Sequence, residues 1–242
     1  MPCSGSKRGG WPGSSGEGAV IGPRVAMAVL RKDLLLDLRS KDRVGHMAVF
    51  AALIVVLLSI SLPSSNPATR GWIPPLIWIV FLFTSLLGLG RSFQAESEEG
   101  AVALLVQVPC DRGWVFLGKA AANLLALLGV QLWTAILCTE FLDVAWAVAL
   151  PEILLVGLLG AIGLAAVGTL LSAMANSARF REFLLPVLLF PLILPVLIFA
   201  ARMTTEALAG REIPLAWWGA LGLYDWVFVL IGYFVFEYIL ED

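Results

Sequence analysis

The sequence predicts an all-α integral membrane protein with six transmembrane helices, and three observations lead there. Of 242 residues, 60% are hydrophobic and 14% charged, whereas soluble domains carry about 25% charged residues. Six apolar runs recur, each near the roughly 20 residues that cross a hydrocarbon core. Basic residues gather at alternate ends of those runs. The mean hydropathy of +0.90 fits the same class.

In chain order, residues 1–24 come first. Rich in Gly, Ser and Pro, they bury too little apolar surface to offset ordering entropy and are expected to form a disordered extension. No apolar core follows Lys7 and Arg8, so a secretory signal is not expected. A start near Met27 is the alternative. Residues 25–242 are expected to form a single membrane domain. Its first part, 25–43, places Met27, Leu30, Leu34 and Leu38 on one helical face. Arg31, Lys32, Asp33, Asp37 and Arg39 occupy much of the rest, so the helix is expected to lie in the membrane interface.

The spans are expected at about 45–62, 72–90, 115–138, 147–174, 183–201 and 217–238. The fourth carries a stripe of small residues, Gly157, Ala161, Ala165, Gly168 and Ser172, whose steps of four and three keep them on one side. Such a stripe lets another helix approach closely, either in a second copy of the chain or within the same subunit. The fifth contains Pro186, Pro191 and Pro195, each of which removes a backbone donor and favours a kink. The sixth opens with Trp217, Trp218, Tyr224 and Trp226, an aromatic belt. Asp225 is the acid best placed inside a span's outer half, and intramembrane acids are functional candidates. Its aromatic neighbours also fit a position at headgroup level.

Lys and Arg set the orientation. One set of ends carries 13 of them, including Arg31, Arg43, Arg91, Lys119 and Arg181. The other carries 3: Arg70, Arg202 and Arg211. The positive-inside rule then places both termini and the 91–119 segment in the cytoplasm.

Several chemistries are excluded or unsupported. The chain has no GxxxxGK[ST] loop to cradle nucleotide phosphates, and no HExxH or GxSxG. Three scattered cysteines (Cys3, Cys110, Cys138) suggest neither a disulfide framework nor a metal site. The single histidine, His46, reads as an interfacial residue at a span end. A net charge of −2 offers no attraction to nucleic acid. The chain is not expected to be an enzyme or to bind a cofactor directly.

The most informative stretch is RSFQAESEEGAVALLVQVPCDRGWVFLGK, residues 91–119. Its acids Glu96, Glu98 and Glu99 are not tolerated in lipid. It resembles the cytoplasmic element of the CcmB family. Three further stretches agree in order: LRKDLLLDLRSKDR, SAMANSARFREFLLPVLLFPLILPVLIFA and YDWVFVLIGYFVFEYILED. The likeness covers about residues 27 to 242.

The resemblance implies an exporter permease of the ABC-2 kind, with an elbow helix before the first span and a coupling helix after the second. It implies a homodimer in the bacterial inner membrane, working with a CcmA-type ATPase that consumes ATP. Further implied partners are a CcmC-type haem-handling protein, a CcmD-type small subunit and a CcmE-type haem chaperone, with membrane lipid around them. Either haem is the cargo, or ATP hydrolysis releases the loaded chaperone. By matching positions, Arg91, Ser92, Phe93, Glu96, Glu99 and Gly100 would form the coupling element, closed by Pro109, Gly118 and Lys119. Glu96 and Glu99, three apart, share a helix face and can pair with bases on an ATPase. A permease for a drug or lipid, and a scaffold that transports nothing, are the competing readings.

Overall fold

The computed structural model describes residues 17–40, 42–62, 67–98, 112–176 and 181–239. Among them every regular element is helical. The order is α1 (Glu17–Ser40), α2 (Asp42–Ser61), a single turn α3 (Pro67–Arg70), α4 (Ile73–Glu98), α5 (Gly113–Leu142), a 3-10 turn (Trp146–Ala149), α6 (Leu150–Asn176), α7 (Arg181–Leu208) and α8 (Leu215–Ile239).

Among the described residues, five segments are long and apolar enough to cross a membrane: Arg43–Ser61, Gly113–Leu142, Trp146–Met174, Pro186–Leu208 and Leu215–Phe236. The apolar part of α4, Ile73–Leu89, is shorter. α6 is the hub. Of its apolar window 61% lies inside the bundle, against 17% for α2 and 22% for α8. The small residues explain this: Ala161 and Ala165 are buried, as are Gly157, Gly160, Gly163 and Gly168. Within the subunit the stripe faces α4 and α5. A Cβ on Gly157 would meet Gln131 Nε2 at 2.9 Å, and one on Gly168 would meet Leu89 Cδ1 at 2.3 Å. Without those side chains the helices approach closely, and dispersion contacts then hold them together where no hydrophobic force between them exists.

Three boundaries differ from the sequence expectation. α1 begins at Glu17, so residues 17–24 of the expected extension are helical. Gly22 explains the added turns, since it is buried so close to α5 that a Cβ there would overlap the Trp114 indole. α7 runs to Leu208, seven residues beyond the expected 201. Its added turn is held inside by Met203 and Ala207, and by Trp78 Nε1, which donates to Thr204 Oγ1 at 3.0 Å. α4 continues without a break from its apolar part through Glu98, so the start of the expected coupling helix is not a separate element.

The prolines Pro186, Pro191 and Pro195 all lie inside α7, which remains continuous. α5 stops where Asp143 adopts a left-handed conformation, φ 52°, and the turn before α8 uses Gly210 at φ 67°. These turns leave the start of α4, the end of α5, the start of α6 and the end of α7 at one end of the bundle. The opposite end holds α1 and the tail of α4.

Candidate functional site

Two polar features and one cavity stand out in this apolar bundle. The first is a clasp at the α1 end. Asp33 and Asp37, one helical turn apart on α1, both turn toward the bundle. Asp33 meets Lys119 Nζ of α5 at 3.6 Å, and the lysine side chain is 1% exposed. Asp37 pairs with Arg43, the second residue of α2. Arg43 Nη1 donates to Asn123 Oδ1 at 2.9 Å, and Asn123 Nδ2 donates to Thr169 Oγ1 of α6 at 2.8 Å. One turn further along α6, Ser172 Oγ donates to the Leu89 carbonyl of α4 at 3.2 Å. The linkage therefore runs α1–α2–α5–α6, and α6 in turn holds α4. Burial holds the Asp37 carboxyl above its ordinary range against the pull of Arg43, and neighbouring Asp33 adds to the rise.

The clasp brackets the expected coupling element. Leu89 is the last apolar residue of α4 before Arg91, Ser92, Phe93 and Glu96, which lie on the helical tail ending at Glu98. Glu99, Gly100 and Pro109 lie outside the described residues. Gly118 lies under α1, with the Ala26 carbonyl oxygen 2.6 Å from where its Cβ would be. Lys119 is the buried cation of the clasp.

The second feature is Asp225. The sequence placed it in the outer half of a span, with a headgroup position as the alternative. It lies at the middle of Leu215–Phe236 and is buried, 4% exposed. The α8 helix begins at Leu215, so ten residues separate Asp225 from that end, about 15 Å of rise. Its carboxylate lies against Gly163 of α6 and near Val196 of α7. Neither oxygen has a hydrogen-bond partner among the described residues. Next to it, the Tyr224 hydroxyl donates to the Leu192 carbonyl, between Pro191 and Pro195.

The cavity lies at the end opposite the clasp, between α4, α5, α6 and the 3-10 turn. It measures about 280 Å³ and is lined by Trp78, Phe81, Gln131, Thr139, Trp146 and Leu154, among others. Its walls are mostly apolar, with the Gln131, Thr134, Thr139 and Thr204 side chains as the polar exceptions.

His46 is exposed near the start of α2. No group of His, Cys, Asp and Glu among the described residues could hold a metal. Cys138 is buried and unpaired in α5. Sequence reasoning missed the clasp. Its signal was present: a lysine and an asparagine four residues apart inside an expected span, in a chain where charge within a span needs a partner.

Over most of its length the chain is similar to several bacterial proteins. Heme exporter protein B of Rhodobacter capsulatus is 28% identical over 196 residues, covering 78% of this chain and 87% of that protein. Heme exporter protein B of Bradyrhizobium diazoefficiens is 28% identical over 183 residues, 76% and 82% of the two chains. The protein of that name from Haemophilus influenzae is 24% identical over 195 residues, 78% and 85%. Residues 24–241 match the family described as CcmB protein, nearly the whole length, and the chain belongs to that family.

Proposed function

We propose that this chain is the membrane-spanning subunit of an ABC-type complex in c-type cytochrome biogenesis. A separate CcmA-type ATPase burns ATP, and the membrane subunit turns that cycle into haem export or into release of the haem-loaded chaperone. The relatives' name, heme exporter protein B, supports the system. One structural observation carries the coupling role: α4 leaves its apolar part at Leu89 and stays helical to Glu98. A helix transmits displacement along its length, where an irregular loop would absorb it. Ser172 and Gly168 of α6 seat its base.

In this reading α4 is the second of six spans, and both termini face the cytoplasm of a bacterial inner membrane. α1 is the elbow helix, and Arg91, Ser92, Phe93, Glu96, Glu99 and Gly100 meet the ATPase. The working unit is a homodimer with two ATPase copies. CcmC-type, CcmD-type and CcmE-type proteins complete the assembly.

The test is capture of the ATPase by the tagged chain. Glu96→Lys with Glu99→Lys is expected to abolish capture and holocytochrome yield at normal membrane level. Retention of both would remove the coupling assignment, as would a topology reporter placing Glu98 outside. The apolar cavity favours one second reading, export of another apolar compound. Normal c-type cytochromes in a deletion strain, with altered drug tolerance, would select it.

A further inference from the structure

The charges of α1 are sorted by face. Between residues 22 and 39 its acids are Asp33 and Asp37, and both turn inward to Lys119 and Arg43. Of its bases, Lys32 is half-buried and pairs with Asp33 at 3.1 Å; the other three turn outward. Arg24, Arg31 and Arg39 are exposed, and none makes an ion pair among the described residues. At 100° per residue these three fall within about 80° of one another, on the side away from α5. The outer surface of α1 over this stretch is therefore cationic with no acid to offset it. Apolar side chains share that surface: Met27 and Leu35 are each 56% exposed, and Leu36 is 41% exposed.

Position narrows the partner. α1 ends at Ser40 and α2 begins at Asp42, and the apolar segment that can cross the membrane starts at Arg43. The cations are thus tethered directly to a membrane crossing. α1 is also docked on α5 through Val29, which joins Val115 and Phe116 at the start of α5 in an apolar cluster that includes Phe236 near the end of α8. A surface fixed beside the ends of spans, cationic and interleaved with exposed leucine and methionine, matches one environment: phosphate above, acyl chain below.

We propose that Arg24, Arg31 and Arg39 bind the headgroups of anionic phospholipids, with Met27 and Leu35 in the adjoining acyl layer, so that α1 is a lipid-reading helix. Juxtamembrane cations each strengthen attraction to an anionic leaflet about fivefold, and three acting together on the order of 100-fold. The inference rests on the reading of this chain as a membrane subunit, and not on the coupling assignment.

The test uses the full chain in micelles holding equal phosphatidylcholine and phosphatidylglycerol, with bound lipid counted by native mass spectrometry. Wild type is expected to enrich phosphatidylglycerol. The variant Arg24→Gln, Arg31→Gln, Arg39→Gln should lose that enrichment at least about tenfold, and the triple Arg→Lys variant should keep most of it. Raising salt from about 0.05 to 0.5 M should erode the wild-type enrichment, a measurement that needs no variant. Three results would overturn the proposal. They are no enrichment in wild type, full enrichment in the Gln variant, and displacement of the lipid by inorganic phosphate or an acidic peptide. Micelles have no sides and hold no ATPase, so failure of ATPase capture leaves this outcome unmoved.

Discussion

The Asp225 carboxylate rests on the backbone of Gly163: a Cβ at that glycine would lie 2.7 Å from Asp225 Oδ1 and 3.1 Å from Val196 Cγ2. The absence of a side chain on α6 is what lets an acid from α8 lie inside the bundle beside α7. Gly163→Ala gains helix propensity, about 1 kcal/mol, but forces a methyl into a filled site, costing about 1–3 kcal/mol. The expected net result is lower thermal stability of the purified protein. Combining it with Asp225→Ala should restore most of the loss, since the second change removes the colliding atoms. A Gly163→Ala protein that melts higher than wild type would contradict this packing.

Asp33, half-buried on α1 and also paired with Lys32 at 3.1 Å, meets the buried Lys119 of α5 at 3.6 Å. Removing the acid takes a charge partner from a buried cation, which costs up to about 3–5 kcal/mol, whereas replacing both partners with apolar residues is often neutral. Asp33→Leu alone is expected to lower stability strongly, and Asp33→Leu with Lys119→Met to recover most of it. Denaturant or thermal unfolding of the two variants, closed as a double-mutant cycle, measures the coupling.

Gly118 admits α1 to the surface of α5, with Ala26 O at 2.6 Å and Val29 Cβ at 2.9 Å from its Cβ position. Gly118→Val should lift α1 off while leaving the remaining helices packed. Amide exchange in residues 22–37 should rise by at least about tenfold, matching about 1–3 kcal/mol of local strain, with α6 and α7 unchanged.

Asp37 supplies a pH dependence whose sign is fixed. Its carboxyl titrates above the ordinary value of 3.8 because it is buried. The folded protein therefore holds the proton more tightly than the unfolded chain does. Stability contributed by that proton is complete below the unfolded value and is lost as pH rises through the folded one. Wild type should therefore lose melting temperature relative to Asp37→Asn as pH rises through that window. An opposite trend would remove burial as the dominant influence on this group.

Much of this fold was legible because crossing a bilayer demands long apolar runs, and those runs stand out in the sequence. The end of α7 was not. The expected span ended at 201, just before Arg202. Yet Thr204 and Thr205 return their hydroxyls to the carbonyls of Ala200 and Ala201 at 2.7 and 2.8 Å, so the helix carries them at little expense. Asp225 was placed too near the surface because Tyr224 and Trp226 resemble an aromatic belt. Only the packing reveals Tyr224 reaching across to Leu192. Lys119 and Asn123 signalled that a partner was needed, but the clasp's pairing was illegible for a different reason. Asp33 and Lys119 are far apart in sequence, and neither spacing nor hydropathy ties one to the other. The coupling role proposed for Arg91, Ser92, Phe93 and Glu96 rests on resemblance, and the helical backbone beneath them follows from an unbroken α4.

That unbroken α4 has the proportions of a lever with unequal arms. Leu89, held by Ser172 and tight against Gly168, is the natural pivot. About 14 Å of helix lies between it and Glu98, and about 24 Å between it and Ile73. A sideways push at the Glu98 end swings the far end the opposite way, nearly twice as far. The far arm carries Ile77, Trp78 and Phe81, one wall of the apolar cavity. If the proposed coupling pushes α4 as a rigid rod about that pivot, a small stroke at the Glu98 end becomes a larger opening at the cavity.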